Sequence, residues 1–220
     1  MTKRIIAAGM NRSGSSLIFN AIRLSIIEEF GHTNLYSCFI NDYDPNRKEM
    51  FHLIKVHDRK SLQKIGYDAL VTSYRDLRAV TGSMLRMGWL ADEESQILST
   101  LDNYTENFRY FSARANLCLR YEHFCYNPKE IVKAIPSLFG FSGDIEFEER
   151  VIEQLTGVLP PAGLPSGNLE TANATTLLHR GHIGSIQNSD AMALLSEEAV
   201  RLIEERYEGW LNNYGYPLPK

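Results

Sequence analysis

Ile5-Ile6-Ala7-Ala8-Gly9-Met10-Asn11-Arg12-Ser13-Gly14-Ser15-Ser16-Leu17-Ile18-Phe19-Asn20 is the stretch on which the fold turns. Its first four residues are a short apolar run closed by a glycine, which predicts a buried strand. A loop with two glycines, Gly9 and Gly14, and three serines, Ser13, Ser15 and Ser16, follows. Leu17, Ile18, Ala21, Ile22 and Leu24 then recur at helical spacing and predict a helix that ends near Gly31. Strand, small-residue loop and helix together make a phosphate cradle. The N–H groups of the loop and first helical turn converge on one spot, and the helix dipole adds positive potential there.

The loop comes close to the pattern G-x-x-x-x-G-K-[ST]. Gly9 and Gly14 have the right separation, and Ser16 stands at the Ser/Thr place. The lysine place holds Ser15, and the one cation of the loop, Arg12, precedes the second glycine. The charge is therefore placed differently from that of an ATPase, which disfavours a Mg-nucleoside triphosphate. The plain alternative is a tight strand–helix turn with no ligand.

A chain of 220 residues with ordinary apolar and charged fractions is expected to form one α/β domain over 1–220, large enough for a sizeable core. Its net charge of −4 does not suit a nucleic-acid or anionic-membrane surface. The sequence has no apolar run of transmembrane length and no signal-peptide core. Cys38, Cys118 and Cys125 are odd in number and not at metal spacing, which fits free thiols in a reducing, cytoplasmic setting.

Further along, Thr33 to Met50 is polar and turn-rich and reads as a surface loop. Its Tyr36, Phe39 and Tyr43 are either substrate contacts or aromatics packing on their own loop. Phe51 to His57 predicts a second strand. Lys55 and His57, two residues apart, share one face at its carboxyl end, where open α/β sheets bind ligands. Asp68 to Tyr74 predicts a third strand. Arg75 stands at its end, with Ser83 eight residues on in a helix. A guanidinium can hold a phosphate bidentately, so this pair suits a second phosphate; the alternative is an Arg75–Asp76 salt bridge.

Met84 to Arg114 reads as helical, part of it lining an acceptor pocket. Asn116 to Phe124 predicts a fourth strand leading into a turn. Asn127, Pro128 and Glu130 suit the N-cap, N1 and N3 places of a helix that Pro136 should kink or end. Val158 to Pro165 reads as an irregular linker, and the residues up to Thr176 as a loop over the site. Glu197 to Asn212 is amphipathic, opens at Ser196, and is expected to pack on the sheet.

Taken together, these stretches resemble the sulfotransferase family that uses 3′-phosphoadenosine 5′-phosphosulfate (PAPS). Arg12-Ser13-Gly14-Ser15-Ser16 is similar to its 5′-phosphosulfate loop. Lys55-Val56-His57 is similar to its Lys-Thr-His strand end, which carries the catalytic base. Arg75 and Ser83 match its Arg and Ser that hold the 3′-phosphate. Tyr121-Glu122-His123-Phe124, followed by Asn127-Pro128, resembles its Tyr-Glu-Asp-Leu segment. His179-Arg180-Gly181-His182-Ile183-Gly184 resembles its Arg-Lys-Gly-x-x-Gly loop over the cofactor.

The resemblance implies an α/β fold with a central, mainly parallel sheet flanked by helices. It implies PAPS as donor and adenosine 3′,5′-bisphosphate as product, with no metal. His57, Lys55 and Arg12 would be catalytic. Arg12, Ser13, Gly14, Ser15, Ser16, Arg75, Ser83, Tyr121, His179, Arg180 and Gly181 would bind the nucleotide. The acceptor would be a hydroxyl, or less readily an amine, on a small molecule, glycan or peptide. Two other classes stay open, a P-loop kinase-like phosphotransferase and a non-catalytic nucleotide-binding protein of the same fold. The acceptor and the oligomeric state are not legible in the residues.

Overall fold

The computed structural model describes residues 2–141, 143–158, 173–178 and 188–218. In chain order they form β1 (Lys3–Ala8), α1 (Ser15–Phe30), β2 (Leu35–Phe39), β3 (Phe51–Val56), α2 (Arg59–Leu62), β4 (Ala69–Tyr74), α3 (Leu77–Arg86), α4 (Glu94–Ser112) and β5 (Leu117–Arg120). Then come α5 (Tyr121–Phe124), α6 (Lys129–Phe139), α7 (Ile145–Val158), α8 (Asn188–Met192) and α9 (Glu197–Asn213). The strands form one sheet in the order β2-β3-β1-β4-β5, and every pair is parallel.

β1 lies in the middle, which is why its sequence is apolar without alternation. A central strand of a parallel sheet is covered on both faces. Ile5 and Ala7 pack with Leu53 and Val71 under Ile18, Phe19, Ile22 and Ile26 of α1, joined by side chains of α6 and α7. Ile6 and Ala8 face the other way, with Ile54, Val56, Leu70, Leu62 of α2 and Phe111 of α4. A third cluster joins α3, α4 and α9 beside Met10 of the loop.

Several expectations change. The stretch 33–50 is not wholly a loop, because Leu35–Phe39 pairs with β3 as the sheet's edge strand. Paired on one side and buried only at Cys38, it carries little of the alternation that marks a strand. The fourth strand is short, and Tyr121 opens a helical turn. α6 begins after Pro128 without a side-chain cap, and it runs through Pro136 to the left-handed Gly140. The segment 84–114 is broken at Gly88, whose φ is 66°. α9 packs on α3 and α4 rather than flat on the sheet.

Candidate functional site

The loop between β1 and α1 is shaped by what surrounds it. Gly14, the residue before α1, has φ 82°, and a Cβ there would lie 2.7 Å from the Phe124 ring. Glycine is needed on both counts. Arg12 also takes a left-handed φ, 65°, which an L-residue adopts only under the hold of its neighbours. Its Nε donates to Ser83 Oγ at 2.9 Å, its guanidinium carbon stands 5.5 Å from the centre of the Trp89 ring, and its carbonyl accepts from Arg75 Nη1 at 3.2 Å. Arg12 thus leans towards the residues expected to take a second phosphate.

The serines divide the work. Ser13 Oγ donates to the Met10 carbonyl at 2.8 Å and lies 2.9 Å from Ser73 Oγ, so its hydroxyl holds the loop's shape. Ser15 is buried at the start of α1. Ser16 Oγ accepts from Lys55 Nζ, which arrives from β3. In a P-loop NTPase the hydroxyl at this place meets Mg²⁺; here a lysine from the neighbouring strand meets it.

Lys55 is 2% exposed. Its ammonium stands 5.2 Å from the centre of the Phe39 ring, so of the three aromatics in 33–50 it is Phe39 that borders the site. Tyr36 and Tyr43 instead stack on each other and meet His52 edge-on. Burial, with the nearby charge of Arg12, pushes the Lys55 amine down to about 7. Burial, with the charges of Arg86 and Arg75, pushes Arg12 down to about 10. His57 Nδ1 lies 2.9 Å from the Gly9 carbonyl. A carbonyl only accepts, so Nδ1 carries the proton and the neutral ring has its lone pair on Nε2. Lys55 and His57 therefore both reach the loop between β1 and α1.

Arg75 is buried at the end of β4, 4.2 Å from the centre of the Tyr121 ring. It does not pair with Asp76. That carboxylate is gripped by Arg78, whose Nε and Nη2 lie 3.0 and 2.7 Å from its two oxygens. Arg75 Nε donates instead to Asn188 Oδ1 at 2.9 Å, and its buried Nη2 has no hydrogen-bond acceptor among the described residues. A buried charged donor without an acceptor among the described residues is what an anion site needs.

The loop of β1, the end of β3 and the end of β4 thus bring Arg12, Ser16, Lys55, His57, Arg75, Ser83 and Tyr121 together. His179, Arg180 and Gly181 lie outside the described residues. Asn188 and Arg86 were not singled out by the sequence. Arg86 could have been found, since it lies three residues after Ser83 on the same helix face.

No protein-family model and no curated protein matches the sequence. Solved structures do match the fold. Mouse sulfotransferase SULT7A1 complexed with PAP is 11% identical, with a TM-score of 0.62 over 98% of this chain and 88% of that one. The fold is that of the sulfotransferases. Retinol dehydratase with androsterone and the inactive cofactor PAP is 14% identical, with a TM-score of 0.60 over 94% of this chain and 80% of that one. The same enzyme with retinol and PAP gives 12%, 0.58, 98% and 83%.

Proposed function

We propose that this protein is a sulfotransferase that moves a sulfuryl group from PAPS to an acceptor hydroxyl, with His57 as general base. The observation that carries the proposal is the pair of contiguous cationic subsites. One is the strand–loop–helix cradle with Lys55 on Ser16. The other is Arg75, joined to the first through the Arg12 carbonyl and keeping a buried donor without an acceptor among the described residues. Two phosphates held side by side suit a nucleotide phosphorylated at both the 5′ and 3′ positions. The sulfotransferase fold supports the same reading.

PAPS supplies a sulfuryl group whose leaving group is a phosphate. In the proposed reaction the acceptor oxygen bonds to sulfur as the sulfur–oxygen bond to that phosphate breaks. His57 Nε2 takes the acceptor's proton while Nδ1 stays anchored on the Gly9 carbonyl. Lys55, Arg12 and the N–H groups of the loop stabilise charge growing on the leaving phosphate. Arg75, Ser83 and Tyr121 hold the 3′-phosphate end, with Arg180 and His179 assigned to the same end by sequence alone. The acceptor is a small molecule with a hydroxyl, received near Phe39 and the segment after α3. Ser15 at the lysine place, and Lys55 on the hydroxyl that would otherwise meet Mg²⁺, disfavour a kinase.

Calorimetry with three ligands tests the nucleotide. Adenosine 3′,5′-bisphosphate should bind much more tightly than AMP, and more tightly than ATP with Mg²⁺. Charge-assisted hydrogen bonds contribute about 1.5–3 kcal/mol each, so Arg75→Ala should weaken the bisphosphate roughly tenfold to a hundredfold. A preference for Mg-ATP would overturn the proposal. Turnover with labelled PAPS over a panel of hydroxyl and amine acceptors then tests the reaction itself.

A further inference from the structure

We infer that Asn188 is a positioning residue that keeps Arg75 open to an anion by standing between its guanidinium and the Glu122 carboxylate. The inference rests on the reading of Arg75 as the 3′-phosphate subsite and deepens it.

Asp76 and Glu122 flank Arg75, and each carboxylate is held by other donors. Asp76 follows it in the chain and is taken by Arg78. Glu122 follows Tyr121, whose ring stacks on Arg75. Glu122 Oε2 accepts from Tyr216 OH at 2.7 Å and from Arg120 Nε at 3.2 Å. Its Oε1 accepts from Asn188 Nδ2 at 2.7 Å and more loosely from the Asp76 N–H at 3.4 Å. The other end of the same amide, Asn188 Oδ1, accepts from Arg75 Nε at 2.9 Å. One neutral side chain therefore turns its donor to the anion and its acceptor to the cation. It satisfies both and keeps them from neutralising each other.

Among the described residues the partners this leaves to Arg75 are neutral. They are the Asn188 amide, the Arg12 carbonyl and the Tyr121 ring. Its Nη2 is buried with no acceptor among the described residues. The chemistry that fits is a phosphate or sulfate group beside the phosphate loop. A neutral amide suits this place for physical reasons. Aspartate would place a carboxylate on Arg75. Alanine would remove the spacer and let the guanidinium turn to Glu122.

Asn188 is held in place by its helix. α8 packs on α3 so closely at Gly82 that a Cβ there would lie 1.8 Å from the Ala191 carbonyl oxygen. Gly82 precedes Ser83, the partner of Arg12. The spacer and the Ser83 hydroxyl are therefore tied to one helix–helix contact.

The test is the ratio of affinities for adenosine 3′,5′-bisphosphate and adenosine 5′-phosphate, measured by calorimetry on the full chain, with thermal unfolding of each variant alongside. Arg75→Ala should lower the ratio roughly tenfold to a hundredfold. Asn188→Ala should lower it about tenfold, the value of one charge-assisted bond. Asn188→Asp, which keeps the size of the side chain, should lower it further. The double variant Asn188→Ala with Glu122→Gln should recover most of the loss, because the competing carboxylate is gone. A residue that only held the structure together would give the opposite, with the double variant worse than the single one. Unchanged ratios in both Asn188 variants, or no recovery in the double variant, would overturn the inference while leaving Arg75 in its role. An unchanged ratio in Arg75→Ala would instead remove the 3′-phosphate reading, and the inference with it.

Discussion

Lys55 should take up a proton when an anion binds. The amine is 2% exposed, and its partners among the described residues are a serine hydroxyl and an aromatic ring, so burial and Arg12 hold it near 7 rather than at its ordinary 10.5. A phosphate beside it would favour the ammonium and return its pKa towards the ordinary value. At pH 8 a group with a pKa of about 7 is only about one-tenth protonated, so binding should draw in about 0.9 proton; at pH 6 the figure is about 0.1. Between pH 7 and 9 the affinity should fall about fifty-fold, because more of the free protein must be protonated before it can bind. The phosphates' own ionisation near pH 6 lies below this window.

The assay is calorimetry of adenosine 3′,5′-bisphosphate at pH 8 in buffers of different ionisation enthalpy, which counts the protons directly. Lys55→Met should abolish the uptake, weaken binding at pH 7 by roughly tenfold to a hundredfold, and narrow its gap to the wild type as the pH rises. An affinity flat from pH 7 to 9, or equal uptake by the variant, would refute the reasoning. The same depressed amine has a consequence for folding. The unfolded chain binds the extra proton between about 7 and 10.5, so relative to Lys55→Met the ligand-free wild type should gain stability as the pH rises through that window, with a slope near 1.4 kcal/mol per pH unit.

His57→Ala should leave bisphosphate affinity nearly unchanged and cut single-turnover rate by about a hundredfold or more, whereas His123→Ala should leave the rate near normal; the reverse outcome would put the base on the wrong strand. Gly14→Ala combines a left-handed φ with a Cβ 2.7 Å from the Phe124 ring, so urea unfolding should show a loss of about 2–5 kcal/mol, and a loss under 1 kcal/mol would mean that the loop simply shifts. Burial opposes the charge of Glu122, yet bonds from Asn188 and Tyr216 outweigh it and hold the carboxyl below its ordinary value. The stability this contributes is present above about pH 4.5 and is lost as the pH falls through the lower folded value, so the difference in melting temperature between wild type and Glu122→Gln should shrink on acidification.

The parts of the fold legible in the sequence are those where one strong local signal acts. Ile5 to Ala8 is apolar because the strand is covered on both faces, and that run has few other readings. Lys55 and His57 share a face by the two-residue period, and both reach the loop. β2 was missed because an edge strand buries little, and its turn-forming neighbours Asp42 to Asn46 dominate the window. Arg75 was legible as a cation at a strand end, but not its partners. The choice between Asp76 and Asn188 depends on Arg78 claiming the carboxylate first, and on a helix more than a hundred residues away. Ser13 is legible as a candidate phosphate ligand, but not its contact with Ser73, which no spacing in the sequence encodes.

Arg75 and Arg78 show best how the fold sorts its charges. They are three residues apart and almost equally buried, 3% and 6% exposed. Arg78 is paired with both Asp76 and Glu204, so its charge is cancelled within the protein and it ties α3 to α9. Among the described residues Arg75 has only neutral partners, although Glu122 is a single amide away. Burying a charge without a counter-charge costs stability, and burial alone would select for the arrangement of Arg78 at both positions. On the proposed function, an Arg75 left uncancelled, and a Lys55 that among the described residues faces a hydroxyl and a ring, would hold back part of the stability until an anion arrives. Ligand binding and folding would thereby be linked. At a bisphosphate concentration a hundred times its dissociation constant, the folded state should gain about 2.7 kcal/mol. Arg75→Met should forfeit much of that gain while leaving the ligand-free protein no less stable.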